Sequence, residues 1–253
     1  MGKIIAISSQ KGGVGKTTTA INLGASLAIF QKKVLIVDLD PQGSIAASFH
    51  LDEFKVQYGL FQIIKDKTPL VMAITDIGLE NFEIVPSGVR DDEDEMDLFA
   101  YALQPELLKS IVKPLKEIYD FIILDCPPSL GSITKNAIIA SDSILIPVQT
   151  EFYAIKALGK FLKSIRKVAR ESNPTLKLEG VLITMYEKRI KNNQKIYNDL
   201  RSSLKGLVFD TVIPRNSKIA EAPSVGKPVA LLDVGSAGSI SYLKLAEELL
   251  RRN

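Results

Sequence analysis

The hydrophobic residues of this chain form short apolar runs separated by longer segments with helical periodicity. The apolar runs that read as buried strands are residues 3–8, 33–38, 82–86, 121–125, 143–148 and 178–184, with a weaker run at 207–211. Helical patterns lie between most of these runs, so strands and helices alternate along the chain. This order predicts an α/β fold with a mostly parallel central sheet and helices on both of its faces.

The size and composition of the chain suit one soluble domain. It has 253 residues, of which 46% are hydrophobic and 24% are charged. Because α/β folds often reach this length as one unit and no linker is visible, we expect residues 1–253 to form a single domain. The first residues run directly into a predicted strand, and no apolar run approaches the roughly 20 residues that span a bilayer. We therefore expect a cytoplasmic protein without a membrane segment.

The residue counts exclude some kinds of site. With one cysteine, Cys126, and one histidine, His50, the chain has no internal disulfide and no zinc site made from its own side chains. A lone cysteine also fails to supply the ligands of an iron–sulfur cluster. The net charge of +3 is too small to indicate nucleic-acid binding by itself, so such an activity would depend on local clusters of basic residues.

The segment 11–17, KGGVGKT, follows the first predicted strand and precedes a predicted helix at 18–30. Glycines allow successive backbone N–H groups to point at anionic oxygens, and the start of a helix adds a positive dipole end. Lys16 supplies a charge for the outer phosphates, and the Thr17 hydroxyl is placed to bind a magnesium ion that bridges them. The segment predicts a site for a nucleoside triphosphate, the alternative being a strand-to-helix turn without a ligand.

This loop departs from the usual pattern GxxxxGK followed by Ser or Thr. Gln10 stands where that pattern has glycine, and a second lysine, Lys11, lies just inside the loop. The KGGxGK form is typical of a much narrower class of P-loop proteins.

Acidic residues follow two other predicted strands. Asp38 and Asp40 come at the end of one strand, two residues apart and thus on the same side of an extended chain, and Asp125 ends another. The carboxyl ends of parallel strands meet at one edge of a sheet, where α/β proteins bind their ligands. Carboxylates at that edge can position a metal ion and orient a water molecule for phosphoryl transfer. The alternative is that they are only polar strand ends.

Four motifs together resemble the ParA/Soj partition ATPases, which belong to the deviant Walker A (MinD-like) class of P-loop proteins. The motifs are KGGVGKT, VDLDPQGS at 37–44, IILDCPPS at 122–129 and IPRN…EAPSVGKPV at 213–229. The resemblance covers almost the whole chain. It implies a single deviant Walker A ATPase domain that binds ATP and Mg²⁺ and forms an ATP-dependent homodimer.

The resemblance also implies roles for individual residues. Lys11 would reach the phosphates of the partner protomer, Gly12 would allow close approach, and Asp40 would orient the attacking water. Residues 40–46 and 127–131 would act as switches that sense the γ-phosphate. The predicted catalytic residues are Lys11, Lys16 and Asp40. The predicted nucleotide-binding residues are Lys11, Gly12, Gly13, Val14, Gly15, Lys16, Thr17 and Thr18, with Pro214, Arg215 and Asn216 near the base and Met185 close to them. The predicted magnesium site consists of Thr17, Asp38 and Asp125.

Basic residues cluster in two places. On the predicted helix 154–170, Lys156, Lys160, Lys163, Lys167 and Arg170 share one face opposite an apolar stripe. The second cluster consists of Lys188, Arg189, Lys191 and Lys195, with Lys218 in a later loop. Such clusters are typical of solvated surfaces as well as of phosphate-binding patches. The resemblance implies that Arg189 and Lys218, with Lys188 and Lys191, bind double-stranded DNA without sequence specificity. The sequence departs from the family at two places. Lys218 stands where the family usually has arginine, and Ile190 and Lys191 stand where the family usually has Thr and Asn.

These observations predict a partition ATPase that is loaded onto nucleoid DNA by ATP and released by hydrolysis to ADP and phosphate. The resemblance implies a ParB-type centromere-binding partner that stimulates slow turnover. One alternative is a MinD-like positioning ATPase, which binds membranes through an amphipathic tail; residues 239–253 read instead as a helix packed on its own domain. A second alternative is an amidoligase or kinase relative with a small-molecule pocket, whereas the nitrogenase iron protein would need two cluster cysteines per subunit.

Overall fold

The computed structural model describes residues 2–51 and 56–253. The strands are β1 (Lys3–Ile7), β2 (Val34–Asp38), β3 (Thr75–Leu79), β4 (Phe82–Val85), β5 (Phe121–Asp125), β6 (Ser143–Gln149), β7 (Lys177–Tyr186) and β8 (Val208–Pro214). They form one sheet in the spatial order β3-β4-β2-β5-β1-β6-β7-β8. All neighbouring strands are parallel except β3 and β4, which are antiparallel.

Helices connect these strands. They are α1 (Lys16–Ile29), α2 (Ser44–Ser48), α3 (Leu60–Lys65), α4 (Leu70–Ala73), α5 (Asp92–Tyr101), α6 (Leu107–Val112), α7 (Ser132–Ala140), α8 (Ala154–Ser172), α9 (Lys191–Ser203), α10 (Ser217–Val225), α11 (Val229–Leu232) and α12 (Ala237–Arg252), with a 3₁₀-helix at Lys113–Glu117. Among the described residues, no helix is both long enough and apolar enough to cross a membrane.

Alternate residues of the central strands face two separate cores. Ile4 and Ala6 of β1 belong to the core that α3, α5, α6, α7, α8 and α9 cover, whereas Ile5 and Ile7 belong to the core that α1, α10, α11 and α12 cover. This alternation is the expected consequence of a pleated strand buried on both sides. The prediction of a mostly parallel sheet with helices on both faces is confirmed.

The register of the three central strands aligns the strand ends that carry the predicted site residues. Ile7 of β1 pairs with Asp125 of β5, and Asp125 pairs with Asp38 of β2. The carboxyl ends of β1, β5 and β2 are therefore level with one another at one edge of the sheet. Each of these strands is followed by one of the motifs predicted to bind phosphate or magnesium.

The structure differs from the predicted elements at three places. The edge strand β3 was not predicted, because its residues TDIGL are half-buried or exposed and lack the apolar run of the inner strands. Helix α1 begins at Lys16 rather than at residue 18, so Thr17 and Thr18 lie in its first turn. Strand β8 extends to Pro214, which is therefore the last residue of a strand and not part of a loop.

Candidate active site

The loop between β1 and α1 is built to hold an anion. Gly13 and Gly15 have φ of +70° and +86°, in the left-handed region that favours glycine, and a Cβ at either position would meet no atom within 4 Å. No side chain caps the amino end of α1, and its first turn contains no acidic residue. The first N–H groups of α1 and the positive end of its dipole are therefore available to a phosphate.

Two side chains from distant strands hold this loop in place. Gln149 Nε2 donates a hydrogen bond to the Gly13 carbonyl at 3.0 Å, and Thr184 Oγ1 donates one to the Val14 carbonyl at 2.8 Å. Gln149 ends β6, and Thr184 lies near the end of β7. Neither residue was among the predicted site residues. A signal was present, since both are polar residues that end apolar runs, as Asp38 and Asp125 are.

Asp125 presents an unsatisfied carboxylate beside this loop. Its side chain is fully buried, and within the described part of the chain neither of its oxygens has a hydrogen-bond partner of normal geometry. Burial raises the pKa of Asp125 to about 7, and the nearby Thr17 hydroxyl and Lys16 ammonium offset part of that rise. A buried carboxylate without a partner is costly, so its free oxygens indicate a place for a ligand.

Asp38 is also buried, but backbone amides occupy both of its oxygens. Oδ1 accepts a hydrogen bond from the amide of Asp40 and Oδ2 one from the amide of Ile45, each at 3.1 Å. Burial, together with the neighbouring charge of Asp125, raises the pKa of Asp38 well above its ordinary value. Asp38 thereby fixes the start and end of the segment that was predicted to act as a switch.

Asp40 lies within this segment and is half-buried. It accepts a hydrogen bond from the Gln42 amide at 3.1 Å, and its charge contributes to the raised pKa of both Asp38 and Asp125. The three acidic residues predicted from two separate motifs therefore lie close enough to influence one another. Their assignment to water orientation and to magnesium stays a prediction.

The residues present fit a magnesium-bound nucleotide. The loop offers backbone donors, Lys16 is a buried ammonium that is only 7% exposed, and Thr17 and Asp125 place oxygens side by side. Within residues 2–51 and 56–253, no group of three or more His, Cys, Asp or Glu side chains is arranged to hold a metal ion alone. Mg²⁺ usually takes one or two protein ligands and completes its shell with phosphate oxygens and water.

Lys11, predicted to act across a dimer, points to a neighbouring acidic residue. Its ammonium lies 2.5 Å from Glu151 Oε2 and 3.2 Å from Gln149 Oε1, and both members of the ion pair are more than half exposed. At the adjacent Gly12, a Cβ would lie 4.0 Å from Pro128 Cβ. The loop therefore borders residues 127–131, the second predicted switch.

The predicted base-binding residues lie at the ends of β7 and β8. Pro214 pairs with Tyr186, and Asn216 caps α10 by accepting hydrogen bonds from the amides of Lys218 and Ile219. Met185 has a left-handed φ of +50°, and its sulfur lies 2.7 Å from Gln149 Nε2. The structure thus brings Met185 and the 214–216 segment toward the phosphate loop through the end of β7.

The predicted DNA-binding residues lie at the same edge of the sheet. Lys188 and Arg189 are exposed in the turn after β7, and Lys191 begins α9. Arg215 Nε donates to Glu187 Oε1 at 2.8 Å, which joins this turn to the segment that leads to Lys218. Lys218 pairs with Glu221 at 2.8 Å, and this partner raises the pKa of Lys218.

Comparison with known proteins identifies relatives over the full length of the chain. A family model described as an AAA domain (AAA_31) matches residues 2–178. The sporulation initiation inhibitor protein Soj of Bacillus subtilis is 42% identical over 249 residues, which cover 98% of each chain. The chromosome partitioning protein ParA of Myxococcus xanthus is 40% identical over 253 residues, covering 100% of this chain and 89% of that protein.

Solved structures share the fold. The septum site-determining protein MinD of Pyrococcus horikoshii, complexed with Mg-ADP, is 28% identical with a TM-score of 0.81, and the match covers 98% of this chain and 96% of that one. Cobyrinic acid a,c-diamide synthase of Mycobacterium smegmatis, with bound ADP and magnesium, is 31% identical with a TM-score of 0.82, covering 100% of this chain and 95% of that one.

Proposed function

This chain belongs to the ParA/Soj family of P-loop ATPases, and from that premise we propose that it couples ATP hydrolysis to the partition of DNA. In this proposal, ATP and Mg²⁺ bind at the 11–18 loop, two protomers join across the bound nucleotide, and the dimer binds DNA without sequence specificity. Hydrolysis to ADP and phosphate, stimulated by a ParB-type partner, then separates the dimer from DNA.

The observation that carries the proposal is the juxtaposition of an open phosphate cradle with an unsatisfied buried carboxylate. The cradle is the uncapped start of α1 with Lys16, and the carboxylate is that of Asp125. A magnesium ion would neutralise the negative charge of the phosphates and of this carboxylate together. Phosphoryl transfer depends mainly on such charge neutralisation and on positioning of the groups that react.

The remaining site residues take roles that follow from their positions. Lys16 lies beside the cradle and stabilises negative charge on the outer phosphates, while Asp38 holds the 38–45 segment by its backbone. Asp40, on that segment, accepts a hydrogen bond from the attacking water and fixes its direction. Lys11 lies at the exposed rim of the cradle, from which it can reach a second protomer.

Turnover of the isolated protein is expected to be slow. In the described part of the chain, Arg215, which is the arginine among the predicted nucleotide-binding residues, is paired with Glu187 at 2.8 Å. An arginine that contacts the transferred phosphate accelerates P-loop hydrolysis by several orders of magnitude. We therefore assign stimulation to a partner protein.

The DNA interaction proposed here depends on Lys188, Arg189, Lys191 and Lys218. Lys188, Arg189 and Lys191 are exposed and Lys218 is partly exposed, so their charges are accessible to the phosphates of a duplex. Dimerisation would bring two such sets together and make affinity depend on ATP. The apolar side of α12 is buried through Tyr242, Leu245 and Leu249, which supports DNA over a membrane as the surface that this ATPase binds.

The comparison with known proteins favours a role in DNA partition over a role in amide synthesis. Soj of Bacillus subtilis and ParA of Myxococcus xanthus are 42% and 40% identical to this chain over nearly its whole length, whereas the diamide synthase is 31% identical. The deciding experiment measures binding of double-stranded DNA with ADP, with ATP, and with ATP and a Lys16→Ala variant, across a salt series. We expect binding only with ATP and the wild-type loop, and a steep loss with salt. Equal binding with ADP and ATP would refute the coupling.

A further inference from the structure

The exposed face of α8 carries an uninterrupted row of positive charges. Lys156, Lys160, Lys163, Lys167 and Arg170 recur at intervals of four and three residues, and all five are exposed. The opposite face is buried through Leu158, Phe161 and Ile165, which pack into the core on that side of the sheet. The row is therefore held rigidly outward by a helix whose other side is anchored in the core.

The charges of this row have no local partners. Among the described residues, none of the five takes part in a salt bridge, whereas Lys65, Lys109, Lys116 and Lys218 each pair with an acidic side chain. No acidic residue occupies the first turn of α8, where one would stabilise the helix. Like charges spaced by four residues repel one another and destabilise a helix. The repulsion between these charges therefore destabilises α8, and a bound polyanion would relieve that repulsion.

We propose that the outer face of α8 is a second DNA-binding surface, on which the five-residue row follows the phosphate backbone of a duplex. This inference rests on the proposed function, because it takes the DNA binding proposed above and adds a surface to it. At about 1.5 Å per residue the row is about 21 Å long. A duplex presents about one phosphate per 1.7 Å of its axis, so a linear array of this length meets several phosphates at once.

The composition of the row selects the kind of partner. It contains no aromatic residue to stack on unpaired bases and no Asn or Gln to read base edges, so it suits double-stranded DNA of any sequence. A membrane surface would favour large apolar residues along the flanks of the row. The exposed Phe152 and Tyr153 precede the helix, and of the large apolar residues of α8 only Ile155, in its first turn, is exposed. Anionic vesicles therefore form a separate arm of the test.

The α8 surface adjoins the basic turn described above. Helix α8 packs beside α9, and Lys191 begins α9 directly after Lys188 and Arg189. Since the amino ends of both helices lie at the carboxyl edge of the sheet, the row extends that turn along the side of the molecule. A duplex bound at the turn can continue along α8.

The test neutralises the middle of the row in the full chain. The variant is Lys160→Gln with Lys163→Gln, and the matched control is Lys244→Gln with Arg251→Gln, two exposed cations of α12 on the opposite side of the sheet. Binding of a random-sequence duplex is measured with a slowly hydrolysed ATP analogue across a salt series. Two lost phosphate contacts should reduce the slope of log affinity against log salt by about 1.8 and lower the affinity roughly 10-fold or more.

Further measurements distinguish a failure of the proposed function from a failure of the α8 inference alone. Nucleotide affinity should match that of the wild type, and the melting temperature of the α8 variant should be equal or higher because repulsion is removed. If the wild type binds ATP but no DNA, the proposed function fails. If the wild type binds DNA and the α8 variant has the same affinity and slope, or the control loses as much, only the α8 inference is refuted. Loss of binding to vesicles of anionic lipid, with DNA binding unchanged, would also overturn it.

Discussion

The ammonium of Lys11 lies 2.5 Å from Glu151 Oε2, so the lysine predicted to act on a second protomer is paired within its own chain. Both side chains are more than half exposed. Pairs of this kind contribute only about 0–1 kcal/mol to stability. The pair is therefore weak enough to be exchanged for a stronger contact with phosphate when two protomers meet.

Glu151→Gln should make dimerisation easier without changing the fold. The variant frees Lys11 of each protomer from its intramolecular partner, and the two salt bridges lost per dimer correspond to dimerisation at a protein concentration up to about 30-fold lower. Light scattering with a non-hydrolysable ATP analogue measures this change. Lys11→Ala is the control, which should bind nucleotide and remain a monomer. A Glu151→Gln variant that dimerises less readily than the wild type would show that the pair has no restraining effect.

Asp40→Ala should separate binding from hydrolysis. Because Asp40 is proposed to direct the attacking water, its loss should lower the hydrolysis rate by about 10²-fold or more. ATP-dependent dimers should persist. Release of phosphate and molar mass in the presence of ATP are the two readouts. An Asp40→Ala variant with wild-type turnover would remove this residue from its assigned role.

Asp125 should make the stability of the metal-free protein depend on pH. Burial raises the pKa of Asp125 to about 7 in the folded protein, against about 3.9 in an unfolded chain. The folded state therefore binds this proton more tightly. The resulting stabilisation is complete below about pH 4 and is lost as the pH rises through about 7.

The measurement is urea denaturation without nucleotide or magnesium at pH 5 and at pH 8. Asp125→Asn removes the titrating group, so its free energy of unfolding should fall less between the two pH values than that of the wild type. The difference between the proteins reports Asp125 together with its effect on the pKa of the neighbouring Asp38. Parallel pH profiles for the two proteins would contradict the raised pKa.

Two helical glycines should respond in opposite ways to alanine. A Cβ at Gly24 of α1 would lie 2.6 Å from Phe82 Cε2 and 3.1 Å from Ile36 Cδ1, whereas one at Gly159 of α8 would meet nothing within 4 Å. Overpacking costs about 1–3 kcal/mol, which exceeds the gain of about 1 kcal/mol from higher helix propensity. Gly24→Ala should therefore be destabilised by about 1 kcal/mol, and Gly159→Ala stabilised by a similar amount.

Thermal unfolding followed by circular dichroism tests this pair directly. A change of 1 kcal/mol corresponds to a shift of about 2–4 °C in the melting temperature for a chain of this size. Gly24→Ala should melt lower than the wild type and Gly159→Ala higher. Shifts in the same direction would show that the packing of α1 against the sheet does not limit residue 24.

The apolar runs and motifs were sufficient to predict most of the fold and the position of the glycine-containing loop between β1 and α1. Inner strands are buried on both faces, so their sequences are continuously apolar and easy to recognise, and the loop after β1 needs glycine at fixed positions. The edge strand β3 escaped prediction because partial exposure leaves its sequence without that signal. The contribution of Gln149 and Thr184 also escaped prediction, although each ends an apolar run.

The sequence by itself determined the α/β order, the phosphate loop and the acidic residues at the strand ends, because these depend on local patterns of a few residues. Only the tertiary structure decided that Asp38, Asp125 and the loop are level, that Thr184 holds the Val14 carbonyl, and that Glu151 holds Lys11. These relationships join residues more than 80 positions apart. They follow from strand order and register, which arise from packing of the whole sheet and are not specified by any one short segment.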